Sequence, residues 1–346
     1  MNNIRILAKP KHGTSNLIND RLYGEIENDS DVEVIAWSPI RMLLCRYGLL
    51  HVHWPDNVLN DRIWVRSMFK VVALICSIFW IKFLGCKLVW TAHNIVSHDA
   101  YHPRLESFFW LLFIPRLNGI IALSPESLNQ VVTLRNIPNG TSSLVMPHGS
   151  YCGVYLDTLT HAEARKRLGL KHEGKVLLNL GLIRRYKKVE RLIELGREDP
   201  SVQVLIAGKV GESDYEQELR QLAEGLDNIH LHFKFIADDE LQLYLRASDL
   251  FVLPYDKITN SGSAILALSY DLPVLAPDLP CFDSLQKTFG DVWVSTYSSA
   301  FSSETLQAYY RHRSAVKHEQ TVNWGEWEWS AIASKVRKFY ESVITK

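Results

Sequence analysis

The regular alternation of short apolar segments with helical or loop segments constrains the fold of this chain more than any other feature. Apolar runs of strand length alternate with segments of helical spacing over residues 4–146, and the pattern starts again at residue 175. Such alternation predicts parallel strands joined by helices that cover both faces of a sheet. The loop-like segment PHGSYCGVY, residues 147–155, separates the two series, so we predict two successive doubly wound α/β domains.

The predicted elements follow this pattern. The predicted strands of the first half are Ile4–Lys9, Val32–Trp37, Leu49–Trp54, Lys87–Ala92, Gly119–Ser124 and Ser143–Met146, and the predicted helices are Asn16–Glu27, Val58–Leu84, His102–Leu117 and Pro125–Arg135. In the second half we predict strands over residues 175–181, 202–208, 229–235, 249–255, 273–277 and 291–295, and helices over Val189–Glu198, Tyr215–Gly225, Asp239–Ala247 and Ala264–Tyr270. Apolar residues at about fourfold spacing predict a final amphipathic helix. The predicted domains are residues 1–148 and 149–324, with a helix at 325–346 that crosses back to the first domain.

Length and composition narrow the class of protein. A chain of 346 residues with 47% hydrophobic residues is long enough for two domains with sizeable cores. The formal net charge is zero, which disfavours nucleic acid as a partner. The five cysteines form no CxxC pair and are typical of reduced thiols in a cytoplasmic protein, with no structural zinc. The segment IRILAKP near the N-terminus is predicted to be a strand rather than a signal peptide.

One strongly apolar stretch leaves two interpretations open. Met68–Leu84 reads MFKVVALICSIFWIKFL, which fits a buried core helix or a helix that lies on a membrane surface with its lysines at the headgroups. Lys70 and Lys82 interrupt the stretch, and it is short for a membrane span, so a transmembrane helix is disfavoured. Phe108–Phe113 has the same ambiguity. Peripheral contact with the inner face of the cytoplasmic membrane therefore stays an open prediction.

Small polar residues follow a predicted strand in the stretch DLFVLPYDKITNSGSAILALSYDLPVLAP, residues 249–277. They lie between the carboxyl end of that strand and the start of the next helix, where α/β folds bind ligands and free N–H groups favour anions such as phosphate. An ordinary strand–loop–helix connection is the alternative. The residues predicted to bind there are Asn260, Ser261, Gly262 and Ser263.

Four cations follow another predicted strand in the sequence GLIRRYKKVERL. Positive charge at a helix N-terminus is unfavourable with respect to the helix dipole, which suggests that an anionic ligand binds there. A guanidinium fork with an ammonium suits a diphosphate. A solvated surface turn is the alternative interpretation. The residues are Arg184, Arg185, Lys187 and Lys188.

The first half brings a second set of polar residues to strand ends. The segments HVHWPDN and WTAHNIVSHD each follow a predicted strand, GTSN is a small-residue loop after the first strand, and MPHGSY lies at the domain boundary. Several polar groups at one edge of a sheet indicate a ligand site, although a single histidine after a strand is usually a hydrogen-bonded loop residue. No short ligand pair supports zinc. The residues are Gly13, Thr14, His53, Trp54, Asp56, His93, Asn94, His98, Asp99 and His148.

Several common site motifs are absent from the sequence. There is no GxGxxG after the first predicted strand, which disfavours an NAD-dependent dehydrogenase. There is also no P-loop and no GxSxG, which disfavours kinase, ATPase and hydrolase activities of those classes.

Taken together, these segments resemble the GT-B nucleotide-sugar glycosyltransferases, in particular the large retaining-type group that includes bacterial exopolysaccharide and lipopolysaccharide enzymes. HVHWPDN, TAHNIVSHD and MPHGSY look like a subgroup of exopolysaccharide transferases, some of which use GDP-mannose. The resemblance covers nearly the whole chain. It implies an α/β fold with two Rossmann-like domains that face each other across a cleft, acceptor on the first domain and donor on the second.

The resemblance also implies roles for the basic segment. GLIRRYKKVERL looks like the segment that holds the donor diphosphate, with Arg184 and Lys187 as the pair and Arg185 or Lys188 as replacements if the alignment slips. The commonest members carry two glutamates eight positions apart. Here the first would fall near Ile258 or Thr259 and the second near Leu266, so neither carboxylate is present. Serines 261 and 263 and Gly262 would hold phosphate or ribose instead, which leaves the stereochemical course open.

The reaction implied by the resemblance moves a mannose- or glucose-type hexose from GDP-mannose or a UDP-sugar to a glycan acceptor such as a polyprenyl-diphosphate-linked one. No cofactor and no metal are expected. His93 is the first candidate for the base of an inverting reaction and Asp99 or Asp56 the second, whereas in a retaining reaction His93 would hydrogen-bond the donor sugar. The remaining polar residues of the first half would contact acceptor or sugar. A non-catalytic sugar- or nucleotide-binding protein and a nucleotide-sugar epimerase are the alternatives.

Overall fold

A computed structural model describes residues 4–12, 17–28, 31–44, 47–59, 61–93, 101–258, 261–298, 300–315 and 321–346. The chain divides into two compact units. Unit 1 comprises residues 1–149 together with 325–346, and unit 2 comprises residues 150–324.

The described residues of unit 1 form six parallel strands and six α-helices. Its strands are β1 (Ile4–Lys9), β2 (Val32–Ala36), β3 (Leu49–Val52), β4 (Lys87–Ala92), β5 (Gly119–Ala122) and β6 (Ser142–Val145). Its helices are α1 (Ile18–Glu27), α2 (Pro39–Leu44), α3 (Trp64–Phe83), α4 (Pro103–Phe113), α5 (Pro125–Arg135) and the last helix of the chain, α13 (Trp329–Thr345). The sheet order is β2-β1-β3-β4-β5-β6.

Both faces of this sheet pack against helices, which explains why most residues of its central strands are apolar. Successive residues of a strand point to opposite faces. Leu7 and Leu50 therefore lie in a core with α3 and α4, whereas Ile6 and Leu49 lie in a core with α1 and α13. The sequence pattern thus translates directly into a sheet between two helical layers.

Helix α3 has a buried face and an apolar exposed face. Val71, Leu74 and Ile78 pack in the core. Phe69 and Phe83, which are 73% and 82% exposed, lie outside this core. By length and composition the helix could cross a membrane, with 39% of its most apolar window buried. The core-helix prediction therefore accounts for only one of its two faces.

Helix α13 belongs to unit 1 although it is the last element of the chain. Ile332, Val336 and Tyr340 are buried in the core that also holds α1 and the strands. The predicted apolar face is therefore the face that packs, and the helix crosses back to the first domain as predicted.

Unit 2 contains the second parallel sheet. Its strands are β7 (Val176–Leu180), β8 (Gln203–Ala207), β9 (Ile229–His232), β10 (Leu250–Val252), β11 (Val274–Pro277) and β12 (Val294–Tyr297), in the order β12-β11-β10-β7-β8-β9. Its helices are α6 (His161–Leu168), α7 (Glu190–Glu198), α8 (Ser213–Leu222), α9 (Leu241–Ala247), α10 (Gly262–Leu268), α11 (Pro280–Phe289) and α12 (Ser303–Ala315). Two all-parallel six-stranded sheets with helices confirm the predicted α/β class.

Four helices were not predicted, namely α2, α6, α11 and α12. For α6 the sequence carries a signal: Thr160 and Glu163 form a capping box, and Gly169 ends the helix in the left-handed conformation. Helix α3 begins at Trp64 instead of Val58, because residues Pro55–Leu59 form a separate 3₁₀ turn.

Candidate functional site

The strand order of unit 2 places a crevice at the ends of β7 and β10. From β7 the chain proceeds to β8 and β9 on one side, whereas β10 leads to β11 and β12 on the other. The loops that leave two such neighbouring strands diverge, and ligands of open α/β sheets bind in the opening between them. The loop after β7 carries the basic segment, and the loop after β10 carries the serine-rich segment. The sequence-predicted donor residues therefore converge from two distant parts of the chain.

Two glycines line the base of this opening. Gly181 follows β7 with φ at +128°, a conformation that favours glycine. A Cβ on Gly208, which follows β8, would lie 1.9 Å from the carbonyl oxygen of Gly181, so only glycine fits there. A Cβ on Gly181 would lie 3.8 Å from both Lys187 Nζ and Ser263 Oγ. The ammonium and the hydroxyl thus point to the same small region at the end of β7.

Lys187 is the cation best suited to bind an anion in this region. Its side chain is buried, with Nζ 5.3 Å from the centroid of the Tyr255 ring, and it has no carboxylate partner in the described part of the chain. Burial, and then the positive charge of Arg184, lower the pKa of Lys187 to about 8. A buried cation that lacks a carboxylate and has a second cation nearby is a site that an anion would stabilise.

The other three basic residues predicted to bind the donor already have acidic partners. Arg184 pairs with Glu212 at 3.1 Å. The two ends of the Arg185 guanidinium bond Asp214 and Glu218, each at 2.7 Å, and both hydrogen bonds raise its pKa. Lys188 Nζ lies 3.7 Å from Glu190 and 3.8 Å from Asp256. Of the predicted basic residues, Lys187 with Arg184 beside it remains the strongest donor-site pair.

The predicted serine loop contributes through one hydroxyl. Ser261 is buried, and its Oγ accepts the N–H of Ala264, which caps α10. Gly262 and Ser263 form the first turn of that helix, and Ser263 Oγ is the hydroxyl near Gly181. Asn260 lies outside the described residues.

Unit 1 has a similar change of direction between β1 and β3, since β1 leads outwards to β2 and β3 leads towards β4. At the ends of β3 and β4, alternate residues on the α1/α13 side of the sheet are polar. They form a chain of hydrogen bonds: Thr91 Oγ1 to His51 Nε2 (2.7 Å), His51 Nδ1 to the Tyr23 hydroxyl (2.8 Å), Tyr23 to His53 Nε2 (2.6 Å) and His53 Nδ1 to His93 Nε2 (3.0 Å). The Tyr340 hydroxyl of α13 also lies 2.8 Å from His51 Nδ1. We call these six residues the histidine chain.

The histidine chain determines which nitrogen of His93 is available to a ligand. Its Nε2 is hydrogen-bonded to His53, whereas Nδ1 has no partner among the described residues. In one arrangement of the protons, His93 donates to His53 and every later residue donates to the next one, ending at Thr91. His93 then carries its proton on Nε2 and a lone pair on Nδ1. If every hydrogen bond runs in the opposite direction, from Thr91 to His93, the same pairs are satisfied and the proton of His93 is on Nδ1. His93 can therefore accept a proton only with the first arrangement.

The histidines of this cluster are neutral at physiological pH. Burial, and then the charge of His148, lower the pKa of His93 to about 3, while burial and then the charge of His93 lower the pKa of His51 to about 3. Burial lowers the pKa of His148 to about 4. A neutral imidazole presents a lone pair, which a base or a hydrogen-bond acceptor requires.

Trp54 and Asp56 have different surroundings. The Trp54 ring stacks on His93, with centroids 4.2 Å apart and planes at 17°. Asp56 lies in the 3₁₀ turn after β3. Burial lowers the pKa of Arg135, and the charge of Asp56 is one of those that offset part of this shift. The predicted residues Gly13, Thr14, Asn94, His98 and Asp99 lie outside the described residues.

Within the described ranges, no group of three or more histidines, cysteines, aspartates or glutamates could hold a metal ion. The prediction of metal-independent chemistry stays a prediction.

Sequence reasoning missed His51, Tyr23 and Tyr340. His51 lies two residues before His53 in an apolar strand, so alternation along β3 could have placed both imidazoles on one face. The tyrosines come from helices 28 residues before and 289 residues after His51 in the chain, and local patterns do not reveal such pairs.

Comparison with known proteins agrees with this geometry. Residues 160–304 match the family model described as "Glycosyl transferases group 1", a range that includes both loops at the ends of β7 and β10. A GDP-mannose:glycolipid 4-beta-D-mannosyltransferase of Xanthomonas campestris pv. campestris is 25% identical over 310 residues, which cover 88% of this chain and 82% of the relative.

Solved structures share the fold. Anabaena HepE in complex with UDP-glucose superposes with a TM-score of 0.62 at 16% identity and covers 99% of this chain and 96% of its own. A putative UDP-N-acetylglucosamine 2-epimerase from Listeria monocytogenes reaches 0.58 at 10% identity, with 99% and 96% covered. The two-domain fold is thus found in an enzyme of another class as well.

Proposed function

We infer that this chain, a glycosyltransferase of the GT-B fold, transfers mannose from GDP-mannose to a lipid-linked glycan acceptor. The choice of donor is supported by the Xanthomonas relatives, which are GDP-mannose:glycolipid 4-beta-D-mannosyltransferases. The proposal rests on the buried ammonium of Lys187, which lies near Gly181 between the loops that follow β7 and β10. A bound diphosphate would neutralise the charge of this ammonium.

The proposed chemistry breaks the bond between the anomeric carbon and the leaving diphosphate. Negative charge grows on the diphosphate as this bond breaks, and preorganised cations and donors stabilise that charge. Lys187 and Ser263 would act directly, with Arg184 beside them. These groups would support the departure of the diphosphate.

The acceptor hydroxyl must lose a proton as it attacks. In an inverting reaction His93 would take that proton on Nδ1, its free nitrogen, and the N–H on Nε2 would remain bonded to His53. In a retaining reaction the same nitrogen would hydrogen-bond the donor sugar. Both roles require the neutral imidazole, so we expect transfer to be insensitive to His93 titration above about pH 4.

The donor is tested by thermal stabilisation with GDP, UDP and ADP at equal concentrations. A ligand that binds only the folded protein stabilises it by about 2.7 kcal/mol at a hundredfold excess over its dissociation constant. We expect GDP to raise the melting temperature most and GDP-mannose to be consumed only when a glycolipid acceptor is present. Consumption without acceptor would indicate the epimerase alternative, and binding without turnover on any acceptor would indicate a binding protein.

The exposed face of α3 is proposed to dock on the surface of an anionic membrane, where a lipid-linked acceptor resides. Val65, Phe69, Val72, Phe79 and Phe83 recur at helical spacing along this face, and all five are exposed. On α4, Phe108 and Leu111 are also exposed. Exposed arginines on the same two helices would meet anionic headgroups, as basic amphipathic helices do.

Membrane docking predicts a loss of vesicle binding in the double variant Phe69→Ser/Phe83→Ser. Burial of a phenylalanine contributes about 1.5–3 kcal/mol, so removing two should weaken binding by at least about tenfold. Flotation with vesicles of phosphatidylglycerol and phosphatidylcholine measures this. Phe235→Ser is the matched control, because Phe235 is 75% exposed on unit 2. Undiminished flotation of the double variant, or an equal loss with Phe235→Ser, would refute the docking face.

A further inference from the structure

Unit 1 contains a cavity of about 650 Å³ on the side of the sheet opposite the histidine chain. It lies at the carboxyl ends of β1 and β2 and reaches the start of the loop after β3. Lys9, Trp37 and Trp54 line it, and Phe69 and Leu74 of α3 form an apolar wall. The cavity therefore occupies the place where the strand order of this sheet changes direction, which is where such sheets bind ligands.

Lys9 is the distinctive group of this cavity. Its Nζ lies 3.3 Å from the centroid of the Trp37 ring, and it has neither a carboxylate partner nor a hydrogen bond to its ammonium among the described residues. Burial lowers the pKa of Lys9 to about 8. Desolvation of an ammonium is costly, and one cation–π contact offsets only part of that cost. An anion in the cavity would offset more of it.

The other lysines of the cavity are already neutralised. Lys11 Nζ bonds Glu27 and the carbonyl of Val34, each at 2.8 Å. Lys70 Nζ bonds Asp61 at 3.0 Å. Lys9 is thus the cation of the cavity whose charge is available to a ligand.

The cavity is connected to His93 through one residue. Trp54 lines the cavity and stacks on the His93 imidazole. The backbone N–H of His53 also donates to the carbonyl of Lys9 at 3.0 Å, so the two strand ends are held together. A ligand that fills the cavity would therefore contact Trp54, the ring that stacks on the imidazole to which we assign the acceptor's proton.

We propose that this cavity is the acceptor subsite for an acidic group, in which Lys9 binds a carboxylate or phosphate of the acceptor while Trp37 and Trp54 flank the adjoining sugar. Aromatic faces suit the apolar surfaces of a sugar ring, and an ammonium suits the acidic oxygens. The inference rests on the proposed glycosyltransferase function and specifies its acceptor as anionic. The negative charge of the acceptor could come from a hexuronate of the glycan or from the diphosphate of the lipid linkage, and the test below distinguishes the two.

The test compares three probes on the full chain: methyl glucuronide, geranyl diphosphate and neutral methyl glucoside. The wild type should bind one of the two anions at least tenfold more tightly than the glucoside, which identifies the source of the charge. Lys9→Met, nearly isosteric and uncharged, should lose about tenfold in affinity for that anion and none for the glucoside. In the wild type the anion's affinity should also fall as the pH rises above the pKa of Lys9, because the ammonium loses its charge. Binding is measured by calorimetry or by ligand-observed NMR.

Lys70→Met serves as the control, because it removes a lysine at the edge of the same cavity whose charge is already bonded to Asp61. Equal affinity of the wild type for anions and glucoside, or equal losses in the two variants, would overturn the assignment to Lys9. Stabilisation by GDP is measured in parallel on the same samples. If GDP stabilises both variants while no anion is preferred, the subsite fails and the glycosyltransferase function stands; if no nucleotide stabilises any sample, the proposed function itself fails.

Discussion

Lys187→Met should reduce sugar transfer by about 10²–10³-fold, the usual effect of removing one preorganised group that stabilises developing negative charge. The ammonium of Lys187 lies with Ser263 Oγ at the end of β7 and has no carboxylate partner in the described part of the chain. Methionine has similar length and no charge, so the fold should be retained. Initial rates of transfer from GDP-mannose and the thermal shift with GDP measure the two consequences, and both should be lost together.

The matched control is Arg185→Met, in the same loop. Arg185 is bonded to Asp214 and Glu218 on the surface, where solvent screens ion pairs and they contribute little. Its removal should leave transfer within about twofold. A larger loss of transfer with Arg185→Met than with Lys187→Met would mean that Arg185, and not Lys187, binds the donor diphosphate.

The affinity for GDP should also depend on pH. A bound diphosphate favours the charged form of Lys187, so affinity is complete below the pKa of the free enzyme, about 8, and falls as the pH rises through it. The same titration in Lys187→Met should be flat over this range.

His93→Ala should lower transfer by about 10²–10⁴-fold while the affinity for GDP changes little, because a general base acts on the acceptor and the nucleotide binds elsewhere. Rates with saturating GDP-mannose and the GDP thermal shift, measured on the same preparation, separate the two quantities. Equal loss of transfer and of GDP affinity would contradict a role in proton transfer.

His93→Asn distinguishes the two chemical roles of the imidazole. The asparagine amide occupies roughly the position of Nδ1 and can hydrogen-bond a sugar, but it cannot take up a proton at neutral pH. If His93 is the base, the Asn and Ala variants should be equally inactive. If it hydrogen-bonds the donor sugar in a retaining reaction, the Asn variant should keep substantially more activity than the Ala variant.

Much of the fold could be predicted because both sheets are parallel and buried on both faces. Such strands are rich in apolar residues, and β1 and β4 were predicted with their observed bounds. The loops that carry Lys187 and Ser263 could be recognised for the same reason, since they follow strands that the apolar runs reveal. The family resemblance added the pairing of those loops.

The rest depends on contacts between distant parts of the chain. By residue type alone the four basic residues from Arg184 to Lys188 are equivalent, and only the family resemblance favoured Arg184 and Lys187. The positions of their acidic partners show which of the four are neutralised. Likewise, the sequence shows Lys9 only as the last residue of a strand. Its contact with Trp37 and its position in the cavity are visible only in the structure. Whether a lysine or an arginine is available to bind an anion can be judged only when its acidic partners are known.

The return of α13 to unit 1 has a consequence for how the protein is made. On the ribosome, the whole of unit 2 emerges before Trp329, so the part of the first sheet that α13 covers remains exposed while the second sheet is being synthesised. Unit 2 is one continuous stretch of chain, so it can fold before unit 1 is complete, which reverses the usual N-terminal-first order. Until the last helix docks, His51 lacks its tyrosine from α13, and the nascent first half exposes surface that a chaperone would cover.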